Sequence, residues 1–326
     1  MLYSITELQK FYSDALEDYS LPSNFHNLYE PVNYLLRIGG KRIRPILALA
    51  SYNIFKEDIA NALPMAHAVE YFHNFSLMHD DIMDKADLRR GKETVHKKYD
   101  LNTAILSGDV MLIYAYQFIE QCPVDKQPEI LKLFNKASKE ICEGQQMDID
   151  FESSTDVSIE DYLQMITHKT AVLLGASMQY GAILAEVSKE DANHLFNFGK
   201  NMGIAFQVQD DILDIFSESS NSGKIQGGDI LQKKKTYLYL KSLELLSESD
   251  SSRLKQLYTE DLDIDDQEFI TEVTQLFNSA HVKTYAQELK LSYQQLAFSH
   301  LDAVVFSNDR KEVVREFAIK LLDRES

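Results

Sequence analysis

Two short aspartate clusters have the spacing that metal chemistry would need. They are Asp80-Asp81-Ile82-Met83-Asp84 and Asp210-Asp211-Ile212-Leu213-Asp214. On a helix, the first and last aspartates of each cluster share a face, where like charges repel by roughly a few tenths of a kcal/mol. Mg²⁺ prefers oxygen ligands and usually lies between one or two carboxylates and a substrate phosphate. One such cluster is as readily a solvated acidic face, but two clusters that each end an apolar helical stretch favour Mg²⁺ binding.

Basic residues lie close to both aspartate clusters. They occur in GGKRIRP (residues 39–45), in RRGK (residues 89–92) and after the second cluster, at Lys224, Lys233, Lys234 and Lys235. Arginine binds phosphate through two hydrogen bonds, and lysine binds it as a point charge. Any one group could be a surface patch. Together, in a chain of formal net charge −18, they indicate phosphate-binding sites.

The elements that must position these residues are helices. Apolar residues recur every three or four positions, which gives a predicted helix one apolar face. One such face comprises Leu195, Phe198, Met202, Ala205, Val208 and Ile212. Helix starts are indicated at Ser4, Ser158 and Ser188, each followed three positions later by Glu or Asp. No proline follows Pro128, and the alternation typical of strands is absent. The sequence therefore predicts a single all-α domain over residues 1–326.

Residues 217–228 form the most polar segment between predicted helices. Its serines, asparagine and glycines are typical of a loop. A loop of this length within a helical domain is often functional. We expect a mobile lid that orders over a bound diphosphate, with Lys224 reaching in; a disordered connector is the alternative.

Charge and cysteine usage limit the partners and the compartment. A net charge of −18 has the sign opposite to that of a protein that binds nucleic-acid phosphates. Cys122 and Cys142 make no disulfide framework. The acidic N-terminal segment does not resemble a signal sequence, and the longest uncharged apolar stretch, residues 170–185, is too short to span a bilayer. We expect a cytoplasmic protein with no membrane span and no nucleic-acid partner.

Seven stretches, in their order and spacing, resemble the trans-isoprenyl diphosphate synthase (polyprenyl synthetase) family. They are GGKRIRP (39–45), HNFSLMHDDIMD (73–84), LRRGKETVH (88–96), GQQMD (144–148), KT (169–170), FQVQDDILD (206–214) and GKIQGGDILQKKKT (223–236). The resemblance covers nearly the whole chain. It implies an isoprenoid synthase fold, a helical bundle around a deep central cavity, usually as a homodimer. It also implies a Mg²⁺-dependent prenyltransferase that adds isopentenyl diphosphate to dimethylallyl, geranyl or farnesyl diphosphate.

The same resemblance assigns roles to individual residues. It implies that Mg²⁺ is held by Asp80, Asp84 and Asp210, supported by Asp81, Asp211 and Asp214. The residues implied to hold the allylic diphosphate are Arg89, Lys169, Lys224 and Lys234. Those implied to hold the diphosphate of isopentenyl diphosphate are Lys41, Arg44, His73 and Arg90. Thr170 and Gln207 are expected near the reacting carbons. The chain departs from the family at Glu93, where proline is usual, and at Lys233, where glycine is usual, so the contacting lysine among residues 233–235 stays open.

Product length is expected to depend on Phe75. On a helix this residue lies roughly 7–8 Å before Asp80 along the axis, so its ring can form the floor of a cavity that holds the growing chain. The resemblance implies that an aromatic five positions before the first aspartate marks short-chain enzymes. Ser76 means that there is one aromatic and not a pair, which resembles geranylgeranyl diphosphate synthases. Phe72 could be a second barrier or only core, so farnesyl diphosphate remains the alternative product.

Other functions compete with this interpretation. A terpene cyclase would share the first cluster but normally has a different second metal motif and no second diphosphate site, and a head-to-head synthase would lack GGKRIRP. Glu70-x-x-His73 and Asp191-x-x-His194 resemble the Glu-x-x-His pairs of di-iron bundles. A non-catalytic regulatory subunit of a prenyl synthase would tend to lose acidic-motif residues, whereas both motifs are whole here.

Overall fold

The computed structural model describes residues 2–217, 227–260 and 263–323, and most of these residues are helical. The α-helices are α1 (Ile5–Asp18), α2 (His26–Arg37), α3 (Ile43–Phe55), α4 (Leu63–Met83), α5 (Val95–Lys98), α6 (Leu101–Ile119), α7 (Gln127–Ser153), α8 (Ile159–Ile166), α9 (Val172–Leu184), α10 (Lys189–Phe216), α11 (Gly228–Leu231), α12 (Tyr237–Leu245), α13 (Glu248–Thr259), α14 (Asp266–Ser279), α15 (Val282–Ala303) and α16 (Asn308–Leu322). A 3₁₀ turn spans Ile59–Ala62, and a π-helical turn spans Thr167–Ala171. The all-α prediction is confirmed.

The predicted helix starts have the expected caps. The hydroxyls of Ser4 and Ser158 accept hydrogen bonds from the backbone N–H groups of Glu7 and Asp161, whose carboxylates bond back to the cap residues. Ser188 accepts in the same way from the backbone N–H of Asp191. Each cap satisfies N–H groups that the first turn leaves without a partner.

A small hairpin that sequence periodicity did not predict follows the first aspartate cluster. Strands β1 (Leu88–Arg89) and β2 (Lys92–Glu93) pair antiparallel. The two residues between them, Arg90 and Gly91, have φ values of 53° and 73°. Positive φ at both positions is typical of the two-residue loops of β-hairpins. Two-residue strands are too short for an alternating pattern to show in the sequence. The hairpin fixes the positions of both arginines.

The chain divides into two compact units. Unit 1 comprises Met1–Asn135, Ala176–Phe196 and Leu301–Phe317; unit 2 comprises Lys136–Gly175, Asn197–His300 and Ala318–Ser326. The expectation of one domain over the whole chain stays a prediction. None of the described helices has both the length and the apolar composition that crossing a bilayer requires.

Within unit 1, α4 packs along α6 and against α3. Its apolar face is buried together with aromatic side chains such as Phe72, Phe118 and Phe134. This packing holds the helix that ends at the first aspartate cluster.

Within unit 2, the π-helical turn lies very close to two other helices. A β carbon at Gly203 of α10 would lie 2.6 Å from the Cα of Ala171, and one at Gly144 of α7 would overlap the backbone of Lys169. Glycine at both positions lets the turn approach this closely. Single π turns within helices are frequent at functional sites, and this one carries Lys169 and Thr170.

Candidate active site

The first aspartate cluster lies at the C-terminal end of α4, where Asp84 directly follows the last helical residue. A helix C-terminus carries partial negative charge and disfavours carboxylates. The second cluster is likewise in the last turns of α10. Both positions raise the electrostatic cost of clustered carboxylates, and a bound cation would offset it.

Arg89 connects two aspartates of the first cluster. Its Nε donates to both carboxylate oxygens of Asp81, at 2.9 and 2.8 Å, and its Nη2 lies 3.7 Å from Oδ2 of Asp80. The Asp81 side chain is only 3% exposed. Burial raises the pKa of Asp81, and the hydrogen bonds from Arg89 oppose that shift. Asp81 therefore anchors Arg89 beside Asp80, which fits the supporting role expected of it.

The residues predicted to hold isopentenyl diphosphate meet within unit 1. Nη1 of Arg44 lies 3.0 Å from Nε2 of His73. Burial, followed by the charges of Arg44 and Arg90, lowers the pKa of His73 well below its usual value. His73 is therefore neutral near pH 7, and its Nε2 accepts from Arg44, because a guanidinium can only donate. Burial lowers the pKa of Arg44 to about 10, so Arg44 remains a cation.

Arg90 joins this group through the glycine loop before α3. A β carbon at Gly40 would lie 2.5 Å from Nη1 of Arg90, so the guanidinium rests directly on the Gly40 backbone. Lys41 follows in sequence and is exposed. The structure thus brings Arg44, His73 and Arg90 together next to Lys41.

The buried aspartate of the second cluster, Asp211, is held by neutral side chains. Tyr162 donates to Oδ2 of Asp211 at 2.6 Å, and Nε2 of Gln207 donates to Oδ1 at 3.0 Å. Burial and the nearby Asp229 raise the pKa of Asp211 to about 8, against the effect of these hydrogen bonds. Tyr162 was not predicted to have a role, because it precedes Asp211 by 49 positions and belongs to no recognisable motif.

Thr170 and Gln207, both expected near the reacting carbons, are hydrogen-bonded to each other. The hydroxyl of Thr170 lies 3.2 Å from Oε1 of Gln207. Because Nε2 of the same amide donates to Asp211, the orientation of Gln207 is set from both sides. The neighbouring Lys169 lies 2.5 Å from Oδ2 of Asp148. Asp148 was assigned no role from the sequence, although it is the last residue of the matched GQQMD stretch.

The three consecutive lysines after the second cluster point to different partners. Lys234 lies 3.6 Å from Oδ1 of Asp229, whose backbone N–H donates to Oδ2 of Asp214 at 2.9 Å. Lys233 bonds the carbonyl of Glu260, and Lys235 bonds that of Phe151. Lys234 therefore lies with the acidic residues of this site.

The backbone at Lys233 explains why glycine is usual at this position. Lys233 has a φ of 51°, in the left-handed region that glycine occupies without steric cost. Lys224 and the rest of the predicted lid up to residue 226 lie outside the described residues.

The predicted floor residue Phe75 is wedged between two rings. Its ring centroid lies 5.6 Å from that of Phe72 and 4.8 Å from that of His79. Phe72 is buried and makes an edge contact with Phe134 at 5.2 Å, so it packs behind Phe75. The hydroxyl of Ser76 donates to the carbonyl of His73 at 2.8 Å.

No three His, Cys, Asp or Glu side chains within the described ranges are grouped so that they alone could hold a metal. Mg²⁺ needs only one or two carboxylates when a substrate phosphate completes its shell. The carboxylates of the two clusters therefore fit Mg²⁺ as incomplete sites that a diphosphate would complete.

The di-iron alternative is disfavoured by the partners of its residues. Glu70 is ion-paired with Arg42, and His73 contacts Arg44. In the second candidate pair, Asp191 accepts a hydrogen bond from the backbone N–H of Val305 at 2.8 Å. These carboxylates and this imidazole serve ion pairs and structural hydrogen bonds.

Proteins of known family are similar to this chain in sequence and in structure. The polyprenyl synthetase family matches residues 25–276. A short chain isoprenyl diphosphate synthase of Methanocaldococcus jannaschii is 41% identical over 79% of this chain and 78% of its own length. A geranylgeranyl pyrophosphate synthase of Geoglobus acetivorans is 35% identical over 98% of both chains. A crystal structure of a geranylgeranyl pyrophosphate synthase matches with a TM-score of 0.94 and 40% identity, over 99% of this chain and 100% of that one. The chain therefore belongs to the polyprenyl synthetase family.

Proposed function

We propose that this chain is a Mg²⁺-dependent trans-prenyltransferase that condenses isopentenyl diphosphate head-to-tail with an allylic diphosphate, with geranylgeranyl diphosphate as its product. The observation that carries the proposal is that each aspartate cluster ends a helix and lies beside a cation. Arg89 contacts the first cluster, and Lys234 is linked to the second through Asp229. Family membership and the names of the relatives support the same reaction.

The aspartates and cations divide the work at the allylic diphosphate. Asp80, Asp84 and Asp210 would hold Mg²⁺, and the bound ion would neutralise charge on the departing diphosphate. Arg89, Lys169 and Lys234 supply donors that become more strongly bonded as negative charge develops on the leaving oxygens. These interactions favour ionisation of the allylic C–O bond.

The carbocation that ionisation leaves needs oriented dipoles and a site without water. The Gln207 amide and the Thr170 hydroxyl are fixed by their mutual hydrogen bond and by Asp211, so they need not reorient during the reaction. Isopentenyl diphosphate, held by Lys41, Arg44, His73 and Arg90, attacks through its alkene. The released diphosphate takes the proton that is lost, so no protein nucleophile is required.

The twenty-carbon product rests on Phe75 and on the names of the relatives. Phe75 is supported from behind by the buried Phe72, and we take its ring on α4 as the floor that limits the growing chain. Farnesyl diphosphate is the second candidate, because Phe72 adds a second aromatic ring next to Phe75 on the same helix.

The experiment that tests the proposal is incubation with radiolabelled isopentenyl diphosphate, Mg²⁺ and, separately, dimethylallyl, geranyl and farnesyl diphosphate. Mass spectrometry would identify the products. We expect label in geranylgeranyl diphosphate and none without Mg²⁺ or the allylic starter. Farnesyl diphosphate as the end product would favour the second candidate, and no incorporation from any starter would reject the proposal.

We also propose that the protein is a homodimer located in the cytoplasm, because the family that it resembles is usually homodimeric. Helix α6 exposes Ile105, Leu106 and Ile113, with Leu106 58% exposed, and Phe25 is 73% exposed. Exposed apolar patches of this kind are typical of protein–protein interfaces. Sedimentation velocity should give twice the chain mass, and a monomer at assay concentrations would contradict it.

A further inference from the structure

The loop before α3 has an unusual backbone. Gly39, Gly40 and Arg42 have φ values of 90°, 137° and 48°. The left-handed region is unfavourable for any residue with a β carbon, so Arg42 is strained. Strain of this kind persists only where surrounding contacts hold it, and it clusters at functional sites.

The side chain of Arg42 supplies those contacts. It donates to a carboxylate oxygen of Glu70 and to the carbonyl of Leu36. The side chains of Arg42 and Glu70 are 12% and 3% exposed. Asn74 donates to the same Glu70 oxygen at 2.7 Å and to the Glu70 carbonyl at 2.8 Å. The loop is therefore tied to α4 by a buried ion pair whose acidic member is itself held in place.

This ion pair lies between the residues proposed to bind isopentenyl diphosphate. Arg42 stands between Lys41 and Arg44 in sequence, and Glu70 is one helical turn before His73 on the same face of α4. Arg44 contacts His73 at 3.0 Å. Moving the loop away from Glu70 would displace Lys41 and Arg44 relative to His73.

We propose that Glu70 is a positioning residue: through its buried ion pair with Arg42, it holds the strained loop so that Lys41 and Arg44 meet the diphosphate of isopentenyl diphosphate. The inference rests on the proposed function. Glu70 contacts no substrate in this proposal. It affects the binding of isopentenyl diphosphate and not that of the allylic diphosphate.

The test is Glu70→Gln, which keeps the size of the side chain and removes its charge. We expect the KM for isopentenyl diphosphate to rise about tenfold, the effect of losing roughly one charge-assisted hydrogen bond. The dissociation constant, measured by calorimetry without the allylic substrate, should rise in parallel. The KM for the allylic diphosphate should stay within about twofold, because Arg89 and the aspartates are untouched.

A second variant and a control accompany this test. Arg42→Lys keeps both buried charges but loses the planar guanidinium that donates to two acceptors. It should therefore fold, and it should raise the KM for isopentenyl diphosphate by a smaller factor. Glu57→Gln removes a partner of Arg310 from an exposed ion pair in the same unit and should change neither KM.

The outcomes separate the inference from the proposed function. If the wild-type protein incorporates no isopentenyl diphosphate, the proposed function is wrong. If the wild type is active but Glu70→Gln lowers only the yield of folded protein, or raises both KM values equally, the positioning role is wrong. Should Glu70→Gln fail to fold, an unchanged KM in Arg42→Lys would overturn the inference, and a raised KM for isopentenyl diphosphate alone would support it.

Discussion

The two aspartate clusters have the same spacing and the same place at a helix end, but their buried aspartates have different partners. Asp81 is held by the guanidinium of Arg89, so its charge is balanced within the protein. Asp211 is held by the neutral Tyr162 and Gln207. Burial and the neighbouring Asp229 and Asp210 raise its pKa to about 8. Two motifs with the same aspartate spacing therefore give one buried carboxylate with an arginine counterion and one whose hydrogen-bonding partners, among the described residues, are neutral.

The difference shows what each cluster needs from its ligands. The first cluster presents a preformed cation next to Asp80, which suits recognition of a diphosphate. Asp211 gains more from a cation that arrives with the substrate, since desolvated carboxylates are stabilised most by opposite charge. We expect both clusters to be required for turnover, but of the two buried aspartates only Asp81 to stabilise the apo fold through its charge.

The largest expected effect is the loss of a proposed metal ligand. Asp80→Ala and Asp210→Ala should each lower kcat roughly 10²–10³-fold, the usual cost of removing one charge-stabilising group from a dry site. Steady-state assays with saturating Mg²⁺ would measure this, with the exposed Asp125→Ala as the control. Near-normal turnover in either variant would show that its cluster does not serve the reaction.

Neutralising the buried aspartates should separate the clusters by stability. Asp81→Asn leaves Arg89 without its charged partner and should cost about 3 kcal/mol of unfolding free energy. Asp211→Asn should change it by no more than about 1 kcal/mol, because the Gln207 amide can turn over and the Thr170 hydroxyl can donate or accept. Urea unfolding at pH 7 with EDTA would measure both values. Equal losses of unfolding free energy in the two variants would mean that the charges of Asp81 and Asp211 contribute equally to stability.

The lysines beside the second cluster offer a smaller effect. Lys234→Ala should lower kcat/KM for the allylic substrate about tenfold, the effect of one lost charge-assisted contact. Lys233→Ala and Lys235→Ala are matched controls, because their amines bond backbone carbonyls. If either control loses as much as Lys234→Ala, the assignment of the phosphate contact to Lys234 is wrong.

The smallest effect on rate is expected from substitution of Phe75 on α4, the helix that ends at the first cluster. This substitution should instead change the length of the product. Phe75→Ala should lengthen the product by at least one isoprene unit with a modest loss of turnover. Gly108→Ala should also change the product distribution, because a β carbon there would overlap and displace the His79 ring that contacts Phe75. Product analysis by mass spectrometry measures both, with Phe306→Ala as an aromatic control. An unchanged product from Phe75→Ala would exclude Phe75 as the floor.

The sequence was sufficient to predict the fold class and the family and to locate the two acidic clusters. Helical periodicity and the serine caps depend on residues three or four apart, so they can be read directly from the chain. The seven matched stretches predicted the family, which the comparisons confirm. The departure at Lys233 was visible in the sequence, although the left-handed backbone that favours glycine at this position was not.

Only the tertiary structure decided which side chains support these residues. The hydrogen bond from Tyr162 to Asp211 and the ion pair of Arg42 with Glu70 join positions 49 and 28 residues apart, and no local pattern encodes such contacts. The π-helical turn at Lys169 likewise depends on glycines in two other helices. Short-range periodicity specifies a helix and the residue types it carries, whereas the charge state and orientation of a buried side chain depend on the neighbours that folding brings to it.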